Sequence, residues 1–183
     1  MTPMVRSPMT TELALLGFLN EQPMHGYEIH RRMSDPSGLG QVWRIKQSQL
    51  YALLNKMESA GYIQSELEPQ ESKPPRKVYY LSDSGKKTYI EWVNQPVNTG
   101  RRMRLEFLVK IYFNLRQDDN SAFELLQKQE AVCDKWMQDQ EQKSKTLSDQ
   151  DPFSELICQY RIGQINAMQH WLGLCKKSII KIK

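Results

Sequence analysis

Apolar side chains in the first third of the chain recur at three- and four-residue spacing, interrupted by turn residues. Leu13, Leu16 and Leu19, with Leu15 and Phe18 beside them, form a wide stripe over residues 10–20, which predicts a buried first helix behind a threonine cap. Pro23 interrupts it. Ile29 and Met33, four apart, then mark a short second helix ending in the turn Asp35-Pro36-Ser37-Gly38. A third helix is expected from about Gln47 to Ala60, with Leu50, Leu53, Leu54 and Met57 on its inner face, Gln47, Gln49, Asn55 and Lys56 exposed, and Gly61 as its stop.

The period then changes. Residues 62–67 and 77–81 are short, rich in β-branched and aromatic residues, and separated by the polar, proline-containing stretch 68–76, so they predict a hairpin with a long tip. Three helices followed by such a hairpin outline a winged helix, whose third helix can enter the major groove while the wing reaches the backbone. From Ser82 a fourth helix runs to Val93, and the segment Pro96 to Gly100 ends it and marks a hinge.

Beyond that segment the pattern is helical throughout. Leu105, Leu108, Val109 and Tyr112 repeat at three and four, as do Ala122, Leu125, Leu126, Val132 and Trp136 in a longer polar helix. After Asp151-Pro152 the longest stripe holds Phe153, Leu156, Ile157, Tyr160, Ile165, Met168 and Leu172, with Cys175 at its end. Long helices with narrow stripes cannot bury themselves in one hairpin, so those seven residues are expected to meet a second copy of the chain. The expected fold is therefore mostly α with a small β-hairpin: a flexible N-terminus over 1–9, a winged helix-turn-helix over 10–96 and a helical dimerisation domain over 101–180.

Composition narrows the class. At 183 residues, 39% hydrophobic and 25% charged, with 9 Gly and 9 Pro, the chain reads as globular and not as collagenous, disordered or disulfide-built. No apolar run approaches the ~20 residues of a membrane span, and residues 1–8 lack a signal peptide's apolar middle, so a cytoplasmic protein without membrane contact is expected. Cys133, Cys158 and Cys175, odd in number and far apart, fit reduced thiols. The net charge of +4 is mild, but residues 41–87 carry 8 basic against 5 acidic side chains, so most of the excess is local.

That basic segment holds the candidate chemistry. A reader of DNA needs amides or guanidinium groups at the start of its recognition helix for base edges, and cations or hydroxyls for phosphates. Arg44, Lys46, Gln47, Ser48 and Gln49 supply that mixture, although by themselves they read more simply as an ordinary solvated helix start; Asn55 lies two turns on, and Lys73, Arg76 and Lys77 cluster on the proline-stiffened wing, where Glu68 and Glu71 weaken the field. Arg101, Arg102 and Arg104 read more simply as a solvated linker. No phosphate loop or nucleophile elbow is present, and His25 and His30, five apart, do not share a helix face as a metal pair requires. Neither a catalytic site, a metal nor a cofactor is expected, and His25 reads as a packing residue.

Five stretches in order, Leu15-Leu16-Gly17-Phe18-Leu19, His25-Gly26-Tyr27-Glu28-Ile29, Gln49 to Glu58, Gly61-Tyr62-Ile63 and Pro75 to Gly85, closely resemble the PadR family of bacterial transcriptional regulators. The resemblance implies a winged helix joined to a helical dimerisation region, double-stranded DNA as partner, a homodimer on a pseudo-palindromic operator, and repression relieved by a small-molecule effector. It also implies a phosphate contact through the Tyr51 hydroxyl, beside the alternative of a half-buried packing tyrosine. Trp92, Phe107, Tyr112, Trp136, Tyr160 and Trp171 are aromatic enough to line an effector pocket, although simple core is the plainer account, and no ligand contact follows from them. The competing function is a winged-helix module that binds protein or RNA.

Overall fold

The computed structural model describes residues 9–69, 75–146 and 152–181; Lys73 and most of the expected flexible N-terminus lie outside the described residues. Two compact units divide the chain. The first runs to Val93 and takes in Leu108–Phe113, and the second comprises Asn94–Phe107 and the chain from Asn114 onward.

In the first unit, α1 (Thr10–Glu21) is followed by the two-residue strand β1 (Met24–His25), α2 (Gly26–Met33), a 3-10 turn at Leu39–Gln41, α3 (Gln47–Ser59), the strands β2 (Ile63–Glu68) and β3 (Arg76–Leu81), and α4 (Asp83–Val93). The helices fall where the apolar spacing puts them. The threonine cap does not: Thr10 and Thr11 already lie inside α1, and the Met9 amide donates instead to Glu12 Oε2 at 2.6 Å. An acid in the first turn closes the helix start and favours its dipole. The other Glu12 oxygen accepts from Lys56 Nζ at 2.5 Å, and the carboxylate is almost fully buried, so one side chain both ends α1 and fastens α3 to it.

The sheet is antiparallel in the order β1-β3-β2, with Met24 opposite Tyr79 and Ile63 opposite Leu81. The third strand, β1, is a structural addition to the expected hairpin. Gly61 turns the chain out of α3 at φ 76°, a left-handed value that a side chain would strain. Ser82 and Ser84 then both donate to the Gly61 carbonyl, at 2.7 and 2.8 Å, while Ser82 Oγ accepts the Gly85 amide and so caps α4. The wing is thus closed onto the end of α3. Phe18, Leu50, Leu54 and Ile29 are fully buried among these elements, and Phe113 completes the core edge-on to Phe18 and Tyr89, with ring centres 5.2 and 5.8 Å apart.

The second unit starts with α5 (Gly100–Arg102) and a π-helical turn (Met103–Phe107) that leads into α6 (Leu108–Gln117), then α7 (Asp119–Thr146) and α8 (Pro152–Lys181). Met103 and Phe107, in the π turn, are buried in this unit, and Val109 and Phe113, beyond it, are buried in the first. Gln129 is wholly buried and doubly satisfied by Val97, accepting its N–H at 2.7 Å and donating to its C=O at 3.2 Å. α7 and α8 run antiparallel, as the pairs Glu130–Lys176, Asp134–Gln169 and Gln140–Cys158 require. Cys158, Ile165, Leu172 and Ile179, spaced by sevens, form the α8 side of their buried seam. No helix among the described residues is long and apolar enough to cross a membrane.

Candidate nucleic-acid interface

Apolar Leu50, Leu54 and Met57 anchor α3 in the core, and the opposite face, carrying Ser48, Tyr51, Ala52 and Asn55, is exposed along its length. The approach to this helix is held from two sides. His30 Nε2 lies 3.0 Å from the Ile45 carbonyl, and Asp35 accepts both the amide and the hydroxyl of Ser37 in the preceding turn, which keeps its carboxyl below the usual range. Lys46, Gln47, Ser48 and Gln49 then stand exposed at the helix start. Gln49 Oε1 accepts the Lys46 amide at 3.2 Å, so this side chain caps the helix and offers its NH2 most directly to a partner. Such a donor suits the O6 and N7 acceptors of guanine in the major groove.

The wing residues divide. Arg76 is exposed at the start of β3 opposite Glu68, whereas Lys77 donates to Glu58 Oε2 at 2.6 Å and sits 5.3 Å from the Tyr79 ring centre. Glu58 also accepts from Ser65 Oγ, so the end of α3 clamps both strands of the wing. That hydrogen bond to Lys77 holds the Glu58 carboxyl below its ordinary range and lifts the Lys77 ammonium above its own. Lys77 is therefore already engaged by a carboxylate within the chain, which the charge pattern of the wing alone does not reveal.

The start of α2 adds Tyr27, at the start of the expected second helix, and Arg31 to this surface. Tyr27 is 66% exposed, and it lines a cleft with Gly26, Arg31, Tyr51 and Arg76. His25 belongs to β1, with Nε2 3.5 Å from a Glu68 oxygen and Nδ1 buried without a partner. The signal in the sequence was the string His25-Gly26-Tyr27. A second cleft, lined by Thr11, Trp43, Ile45, Gln49 and Leu53, flanks the other side of α3.

The surfaces expected to meet a second copy also divide. Ile165 and Leu172 are buried within the single chain against α7, and Ile157 and Met168 are half-buried, while Phe153, Leu156 and Tyr160 are 70%, 63% and 67% exposed. The aromatic set expected to line one pocket splits as well, with Trp92 and Tyr112 in the first unit and Phe107, Trp136, Tyr160 and Trp171 in the second. Phe107 and Trp171 pack edge-on at 6.0 Å, as core rings do. Burial pushes the Cys133 thiol up to about 11 and that of Cys175 upward, which leaves both as thiols at neutral pH. Among the described residues no three His, Cys, Asp or Glu side chains gather where they could hold a metal ion.

Three helices, a three-stranded sheet with a projecting wing and an exposed polar start to the third helix define a winged helix-turn-helix protein. Residues 15–91 match the transcriptional regulator PadR-like family. It is 34% identical over 122 residues, 64% of this chain, to the negative transcriptional regulator PadR of Bacillus subtilis. It is 33% identical over 88 residues, 48% of this chain, to a probable transcriptional regulator of Mycobacterium tuberculosis. The chain spans 66% and 46% of the lengths of these two relatives. Crystal structures of Bacillus subtilis PadR with operator DNA and with p-coumaric acid are each 25% identical to it, over 93% of this chain and 99% of theirs, with TM-scores of 0.48 and 0.43.

Proposed function

We propose that the chain is a sequence-specific DNA-binding repressor that acts in the cytoplasm as a homodimer on a pseudo-palindromic operator and is released by a small effector. The observation that carries this reading is the exposed row Lys46, Gln47, Ser48 and Gln49 at the start of α3, with Tyr51 and Asn55 continuing its face and Arg76 on the wing. Amides and a hydroxyl at that place match the needs of base reading, and the wing cation matches a phosphate. The expected wing contact falls chiefly to Arg76, because Lys77 is held by Glu58. The role is that of a regulator, with no catalytic group required. Phe153, Leu156 and Tyr160 supply the dimer surface, since they leave large apolar area uncovered on one helix.

The test is selection of duplexes from a random pool by the full chain, followed by footprinting at two salt concentrations. An enriched inverted repeat, with protection that weakens steeply as salt rises, is the expected result. Alanine at Gln47 or Gln49 should then relax the preference at one position per half-site by about 1–3 kcal/mol, while Arg76→Ala weakens all duplexes alike. Failure to enrich any duplex, with capture of RNA or a protein instead, would replace this reading by the interaction module.

A further inference from the structure

The cleft at the start of α2 has a volume of about 480 Å3 and is bounded by four elements of the winged unit, β1, α2, α3 and β3. Its floor is the first turn of α2, where the N-cap residue His25 supplies no side-chain hydrogen bond to the helix amides. Gly26 allows the Tyr51 ring to lie against that turn: a Cβ at residue 26 would stand 2.7 Å from a ring carbon and 3.2 Å from the hydroxyl oxygen. The Tyr51 hydroxyl is thereby held at the positive end of the helix. Tyr27, Arg31 and Arg76 line the same space. The imidazole of His25 also lines it, and its Nδ1 is buried without a hydrogen-bond partner.

The acidic groups nearby are accounted for. Glu28 faces the cleft, but Arg32 holds one of its oxygens at 3.1 Å and Arg31 approaches the same oxygen at 3.9 Å. Glu68 lies against His25, and Glu58 is engaged by Lys77. What remains is a small space with two guanidinium groups, two phenols, the Glu58-bound Lys77 and a helix start that no side chain caps. That set fits a compact anion with several acceptor oxygens. Because the cleft is lined by Tyr51 of the exposed α3 face and by the wing's Arg76, the anion presented there by a bound duplex is a phosphodiester.

We propose that this cleft seats one backbone phosphodiester of the duplex per head, with the Tyr27 and Tyr51 hydroxyls donating to its oxygens and Arg31 and Arg76 neutralising it. Tyr27 and Arg31 are thus DNA-contacting residues on α2, beyond the recognition helix and wing. The contact carries no base preference; it fixes where α3 lies along the groove. This rests on the DNA-binding reading above.

The experiment uses the full chain, the duplex it selects from a random pool and a duplex of unrelated sequence. Tyr27→Phe removes one hydroxyl from an exposed side chain and should weaken both duplexes by about 10-fold or more, since a hydrogen bond to a charged group is lost. Arg31→Ala should also weaken both and lower the slope of log affinity against log salt by about 0.9. Ethylation interference locates the contact: ethylation of one phosphate per half-site should cost Tyr27→Phe and Arg31→Ala measurably less affinity than it costs the parent chain, while the cost at the other blocking phosphates is unchanged. Thermal melts of both variants within a degree or two of the parent exclude unfolding as the cause. If both variants bind as the parent does, or the interference pattern is unchanged, the seat is refuted while the DNA-binding reading stands. A loss confined to the selected duplex would make Tyr27 a base reader and refute it equally. Absence of binding by the unaltered chain to any duplex would overturn both.

Discussion

Gly26 and Tyr51 show how one missing methyl group sets the position of a functional side chain. With the Tyr51 ring pressed onto the first turn of α2, alanine at residue 26 must push the ring away, because 2.7 Å is well inside any carbon–carbon contact. Tyr51 sits at the surface and can swing outward, so Gly26→Ala should keep the fold and lower DNA affinity, a split that melting and fluorescence anisotropy would read separately. Glu58 is the corresponding residue for the wing. Its carboxyl is depressed by Lys77, so its contribution to stability is complete above its ordinary value of 4.5 and disappears as pH falls through the lower folded-state value. Lys77 is raised, so its share is complete below 10.5 and is lost as pH rises through its folded-state value. Both partners are partly in solvent, which limits the pair to about 1 kcal/mol. Glu58→Gln should therefore cost about that much at pH 7 and nothing at pH 2, by denaturant unfolding at each pH; an equal cost at both would assign the effect to packing.

Elements show which parts of the fold local pattern could report. The helices of the winged unit were legible because each buries one face at regular spacing, and Gly61 was legible as a stop because its φ is one that glycine favours. β1 was not, since two residues carry no period. The Glu12 cap was hidden by the two threonines beside it, and the capture of Lys77 by Glu58 joins groups 19 positions apart, beyond the reach of any local pattern. In α8 two apolar stripes run along one helix and merge in the sequence. Cys158, Ile165, Leu172 and Ile179 face α7, whereas Phe153, Leu156 and Tyr160 leave that seam for solvent. Hydropathy counts both and cannot say which stripe meets a neighbour in the same chain. Leu172→Ala should therefore lower the stability of the single chain by about 2–5 kcal/mol, because its side chain is wholly buried between the helices. Leu156→Ala, at an exposed position, should leave chain stability within about 0.5 kcal/mol under conditions where only monomer is present.

At the scale of the whole molecule the question is what covers the exposed stripe. Each of Phe153, Leu156 and Tyr160 would contribute roughly 1.5–3 kcal/mol if fully buried, and a second copy presenting the same stripe buries all three twice over. Removing the whole of α8 is a poor test, because it would also remove the buried seam residues Cys158, Ile165, Leu172 and Ile179 and unfold the unit. Charges at the exposed positions are cleaner. Leu156→Asp with Tyr160→Asp leaves the seam at Ile165 and Leu172 untouched and should convert a dimer into a folded monomer of unchanged helix content, by sedimentation and circular dichroism. Operator affinity should then fall by about 10²–10⁴, the advantage that linking two heads confers, while affinity for unrelated DNA falls much less. A dimer of undiminished affinity in the double variant would put the interface on another face, and Phe153, Leu156 and Tyr160 would need a different partner to explain their exposure.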